Sequence, residues 1–74
     1  MSDGVTLVRE ASSHDPAVGL RAVRALRELT ERLEALQVAG ARRRGWSWQE
    51  IATCLGVSRQ AVHKKHSAAQ KKSA

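Results

Sequence analysis

Apolar residues recur at helical spacing along two stretches of this chain. From Ala22 to Leu26, Leu29, Leu33 and Leu36 the steps are four, three, four and three, which is the stripe of one long amphipathic helix. Asp15-Pro16 is its expected opening, with Asp15 as cap and Pro16 at the first helical position, where a missing amide donor costs nothing. Gly45 is the expected stop, after Arg44. Gly40 lies inside the helix and weakens it by about 1 kcal/mol against alanine, unless another helix needs to approach there. Arg24 with Glu28, Arg27 with Glu31 and Glu28 with Arg32 can lace the wet face.

The second stretch runs from Trp46 to Lys64 and reads as two short helices hinged at Gly56. Ser47 and Glu50 form a capping box that starts a helix at Trp48. Ile51, Ala52 and Leu55 then share one face, Gly56 supplies the left-handed residue that ends the helix, and Val57 is expected to re-enter the core. Ser58 can cap a second helix with Ala61 and Val62 inward and Arg59, Gln60, His63 and Lys64 outward. Trp46 and Trp48 flank the first cap, a placement that favours core packing and a hydrophobic staple over base stacking. Residues 1–14 scatter Val5, Leu7 and Val8 among Ser, Gly and charge, the pattern of a flexible or extended arm.

The run Ser47-Trp48-Gln49-Glu50-Ile51-Ala52, followed by Leu55-Gly56-Val57-Ser58 and Ala61-Val62, resembles the helix-turn-helix of bacterial transcription regulators, in particular that of region 4 of sigma factors. In such motifs the position of Ala52 is where the two helices approach closely, and Gly56-Val57 matches the turn. The likeness extends loosely upstream to Arg42. His66 departs from it, standing where sigma-like sequences carry leucine. Either the end of the second helix packs differently, or His66 is a half-buried polar residue. The resemblance implies an all-α fold in a three-helix arrangement, a long first helix followed by a helix-turn-helix at 47–66. It also implies an alternative role, docking on RNA polymerase or a small regulatory protein.

Charge sharpens this picture. Met1 to Gly40 carry five basic and six acidic residues, whereas Ala41 to Ala74 carry eight basic and one acidic, so the positive field gathers on the motif. Such asymmetry favours a polyanionic partner. Seventy-four residues make one small domain with limited capacity to bury surface. One cysteine allows no internal disulfide, charges interrupt every apolar run, and no secretory leader is evident, so a cytoplasmic, nucleoid-associated place is expected and no membrane.

The candidate base-reading residues are Ser58, Arg59, Gln60, His63 and Lys64, on the outward side and first turns of the recognition helix. Arg42, Arg43, Arg44, Lys65, Lys71 and Lys72 are candidates for phosphate contacts that fix register. The plainer reading of both sets is a solvated face. Cys54, His63 and His66 lack the ligand count and spacing of a structural zinc site, and Cys54 reads as a small, partly buried helix residue. The one acid of the motif half, Glu50, is used by the cap, and no base stands beside a nucleophile, so no catalytic residue and no cofactor are expected.

The expected organisation is thus an arm over 1–14, a helical domain over 15–69 and a basic tail over 70–74. The expected function is sequence-specific binding of double-stranded DNA, with non-specific, nucleoid-type binding as an alternative. The first half of the long helix leaves Val18, Ala22, Val23 and Leu26 to be covered. A second copy of the chain is the expected cover, and Val5, Leu7 and Val8 folding back on the same chain is the other.

Overall fold

A computed structural model describes residues 3–72 and, of these, the side chains of residues 3–68. It is all-α, with helices α1 (Gly4–Ala11), α2 (Pro16–Arg43), α3 (Trp48–Leu55) and α4 (Arg59–Lys72). The extra element relative to the sequence reading is α1, inside the segment expected to be an arm. Asp3 caps it, accepting from the Thr6 amide at 2.7 Å. At the far end, α4 continues to Lys72 where a fraying tail was expected from residue 70. The packing divides between Leu33 and Glu34 into two units, with α2 contributing to each.

In the first unit, α2 opens as its sequence predicts. Asp15 accepts from the Ala17 amide through its side chain at 3.0 Å, and its carbonyl takes the Gly19 amide at 2.9 Å. Gly19 is buried beside the end of α1, where an added Cβ would stand 3.6 Å from the Ser13 carbonyl oxygen and 3.7 Å from that of Ala11. Among the described residues, Leu7 of α1 and Ala22 of α2 are the buried apolar residues of this unit. The surface expected to take a second copy is therefore partly consumed within the chain. Ala22 is only 2 % exposed, Val18 and Leu26 are half-buried, and Val23 alone of the four remains exposed. Of the N-terminal apolar residues, Leu7 is buried within this unit, while Val5 and Val8 stay in solvent.

The second unit is built by the end of α2 with α3 and α4. Two turns set its angles, and they share one hydrogen-bond pattern. After α2 the Trp46 amide reaches back to the Ala41 carbonyl at 3.0 Å and Gly45, at φ 87°, bonds Arg42 at 3.0 Å. After α3 the Val57 amide reaches the Ala52 carbonyl at 3.1 Å and Gly56, at φ 73°, bonds Thr53 at 3.3 Å. Both are Schellman stops, and both place glycine at the left-handed position that other residues occupy at a cost. The capping box forms in full, with Ser47 Oγ accepting from the Glu50 amide at 3.1 Å and the Ser47 amide donating to Glu50 Oε1 at 2.9 Å. Those bonds, chiefly the one from the Ser47 amide, hold the Glu50 carboxyl below its ordinary pKa.

Ser47→Ala should cost about 1 kcal/mol, because the Glu50 amide loses the hydroxyl that accepts from it. Thermal melting checks it, and a variant that melts with the parent would remove the cap from the account.

The core of this unit is Val38, Ile51, Ala52 and Val62, with Ala41 and Trp48 packed against it. Ala52 is fully buried, as a close approach of α3 and α4 requires. Several expectations fail here. Leu33 and Leu36, members of the sequence stripe, are exposed, and α2 instead offers Val38 and Ala41 to its partners. Val57 does not return to the core and is 47 % exposed, because the three-residue turn needs its amide rather than its side chain. Ala61 and Cys54 are exposed too. Of the three ion pairs expected along α2, Arg24–Glu28 forms at 3.4 Å on an open surface, where it adds little.

Candidate nucleic-acid interface

The helix after Ser58 is the element on which the site stands. Ser58 caps α4, its Oγ accepting from the Ala61 amide at 3.1 Å. That bond anchors the first turn, from which Arg59 and Gln60 project into solvent, and Lys64 follows one turn on. Among the described residues no hydrogen bond or ion pair engages the side chains of Arg59, Gln60 or Lys64. These three are open for an outside partner.

The other predicted site residues are tied into the fold to differing degrees. His63 sits edge-on to the Trp48 ring, with centroids 5.2 Å apart and planes at 85°. Arg42 lies over the same Trp48 ring, its guanidinium carbon 4.6 Å from the centroid, and donates to the Trp46 carbonyl at 2.7 Å. One indole thus links the ends of α2, α3 and α4 through a cation–π contact and an edge contact. Trp48 meets the expectation of core packing, whereas Trp46 is 38 % exposed. Arg43 and Arg44 are exposed at the end of α2. Lys71 and Lys72 lie in α4, but their side chains fall outside the described residues.

Sequence reasoning missed one residue that shapes the site, Glu34. His66 is buried at 6 % exposure on α4, and its Nε2 is 2.8 Å from Glu34 Oε2 on α2. Lys65 Nζ shares the same oxygen at 3.0 Å. The hydrogen bonds from Lys65 and then His66 hold the Glu34 carboxyl below its ordinary pKa, against a smaller opposing effect of burial. His66 is buried rather than half-buried, and it packs the end of α4 through a polar contact where leucine would pack by area. A signal existed in the sequence: Glu34 has Thr30, Glu31, Gln37 and Val38 at the helical neighbour positions, hence no basic partner on its own helix.

The balance of charge follows from these contacts. The acids of the second unit are Glu34 and Glu50, and each is spent on structural hydrogen bonds. The other charged side chains of this unit are basic. Among the described residues no three His, Cys, Asp or Glu side chains gather as a metal-binding group, and no helix is long and apolar enough to cross a membrane.

Two capped helices around a three-residue turn, packed on the end of a longer helix, with a basic outer face on the second, define a helix-turn-helix domain of the DNA-binding class. The chain belongs to the homeodomain-like domain family, whose model matches residues 27–71. That span takes in the second half of α2, all of α3 and almost all of α4. No curated protein and no solved structure matches the chain.

Proposed function

We propose that this protein binds double-stranded DNA in a sequence-specific manner, as a regulator of transcription, by laying α4 in the major groove. The observation that carries the reading is the set Arg59, Gln60 and Lys64. These side chains stand in the first turns of a capped helix, without partners, on the basic face of a helix-turn-helix. Arginine suits guanine and glutamine suits adenine, each through two hydrogen bonds. Ser58 and His63 border the same turns and complete the base-reading set. Arg42, Arg43, Arg44, Lys65, Lys71 and Lys72 supply the charge that holds phosphates, and for Arg42 and Lys65 this role is shared with their contacts inside the fold. The likeness of Ser47 to Val62 to region 4 of sigma factors supports the same placement of α4.

The experiment is selection of bound sequences from a random duplex pool, followed by two variants. Arg59→Ala should relax selection at one base pair, at a cost of about 1 to 3 kcal/mol. Arg44→Ala should weaken all sequences alike and reduce the slope of log affinity against log salt by about one unit. A pool that emerges unselected would replace this reading with non-specific, nucleoid-type binding. Equal weakening of every site by both variants would remove Arg59 from the base-reading set.

A further inference from the structure

Helix α2 carries a glycine that nothing in the second unit requires. Gly40 has ordinary helical backbone, so it costs the helix about 1 kcal/mol against alanine with no turn to justify it. An alanine Cβ there would meet no backbone and no neighbouring helix, only the Arg43 guanidinium at 3.8 Å. The glycine lines a groove of about 510 Å3 whose apolar members are Val38, Ala41, Trp46, Ile51 and Leu55. Trp46 and Leu55 are the large apolar residues that this unit leaves partly in water along that groove. Arg43 and Arg44 stand on its edge, no acid lines it, and among the described residues neither arginine has an ion-pair partner.

We propose that this groove receives an acidic amphipathic helix of a partner protein, with the partner's backbone passing close over Gly40. Each observation contributes a different part of that description. A missing side chain on a helix face lets a second backbone approach closely. An apolar trough of this size seats two or three aliphatic side chains, as in helix-in-groove recognition. Two unpaired arginines at the edge favour carboxylates flanking those anchors, and they disfavour a basic partner. The groove is lined by α2, the following turn and α3, and includes no residue of α4. Its occupation leaves Arg59, Gln60 and Lys64 uncovered while it engages Arg43 and Arg44 of the phosphate-holding set, and the proposal stands whether or not α4 reads DNA.

The test uses the whole chain and two synthetic helical peptides. One has leucines at i, i+4 and i+7 with glutamates beside them, and its counterpart has lysines in place of the glutamates. Amide shifts of the chain are followed by NMR. The glutamate peptide is expected to move Gly40, Cys54 and Leu55 and to bind more tightly than the lysine peptide. Gly40→Leu should fill the groove and weaken the glutamate peptide by at least about tenfold, with melting temperature and duplex affinity not reduced. Arg43→Glu, a surface change that does not depend on repacking, should reverse the order of the two peptides. The proposal is overturned if the parent does not bind the glutamate peptide, or if Gly40→Leu binds it as well as the parent. It is also overturned if both peptides bind alike. A parent that sediments as a dimer, and as a monomer once Gly40 is leucine, would give the groove to a second copy and overturn it equally.

Discussion

Ile51→Ala is expected to destabilise the chain by about 2 to 5 kcal/mol, read as a lower urea midpoint. The side chain is buried among Val38, Ala52 and Val62, and among the described residues these four are the buried apolar core of the second unit. Alanine would leave a void that this unit cannot close, since α3 is fixed at one end by the capping box and at the other by the Gly56 stop. A chain of this size has little stability in reserve, so a loss on that scale should unfold a visible fraction at ambient temperature. Duplex binding should fall with the folded fraction and recover where urea is absent and temperature is low. Leu36→Ala is the contrast. Leu36 belongs to the sequence stripe but is 67 % exposed, and its replacement should change stability by no more than about 0.5 kcal/mol. Equal losses at the two positions would mean that α2 presents the stripe, not Val38, to its partners.

That contrast shows which parts of this fold can be read from the chain. The starts of α2, α3 and α4 and the stops of α2 and α3 were legible, because each is a hydrogen bond between residues a few positions apart: Asp15 to Ala17, Ser47 to Glu50, Trp46 back to Ala41, Val57 back to Ala52, Ser58 to Ala61. The all-α class and the helix-turn-helix follow from them. The face of α2 that packs was not legible. Leu33 and Leu36 continue a good periodic pattern, but pattern records what a helix could bury, and a short α3 and α4 cover only the row of Glu34, Val38 and Ala41. Exposure of Leu36, Leu55 and Val57 is the same fact seen from outside: a small unit has too little interior for all its apolar side chains. Helix α1 was missed because eight residues give scarcely two turns of periodicity, and its one strong signal is the cap at Asp3. In the candidate site, the outward placement of Arg59, Gln60 and Lys64 came from the motif, whereas the ties of Arg42 and His63 to Trp48 depend on tertiary approach.

Glu34 and His66 should show the second large effect, and its dependence on pH is distinctive. Glu34→Ala leaves His66 buried without its partner, at an expected cost of about 1 to 3 kcal/mol. Glu34→Leu combined with His66→Leu removes both polar groups and should lie closer to the parent than the single variant does, since two apolar side chains need no partner. The Glu34 carboxyl is held below its ordinary pKa by the hydrogen bonds from Lys65 and from His66. A depressed folded-state pKa contributes stability that is present above the unfolded value and is lost as pH falls through the folded one. The parent should therefore weaken progressively on acidification across that range, and Glu34→Gln should flatten this part of the profile. Because His66 lies on α4, the pair also fixes the lie of α4 on α2. The acid-sensitive loss should for that reason appear in duplex affinity as well as in melting. A double leucine variant as unstable as Glu34→Ala, with the acid slope of the parent intact, would show that the contact between α2 and α4 rests on something other than this pair.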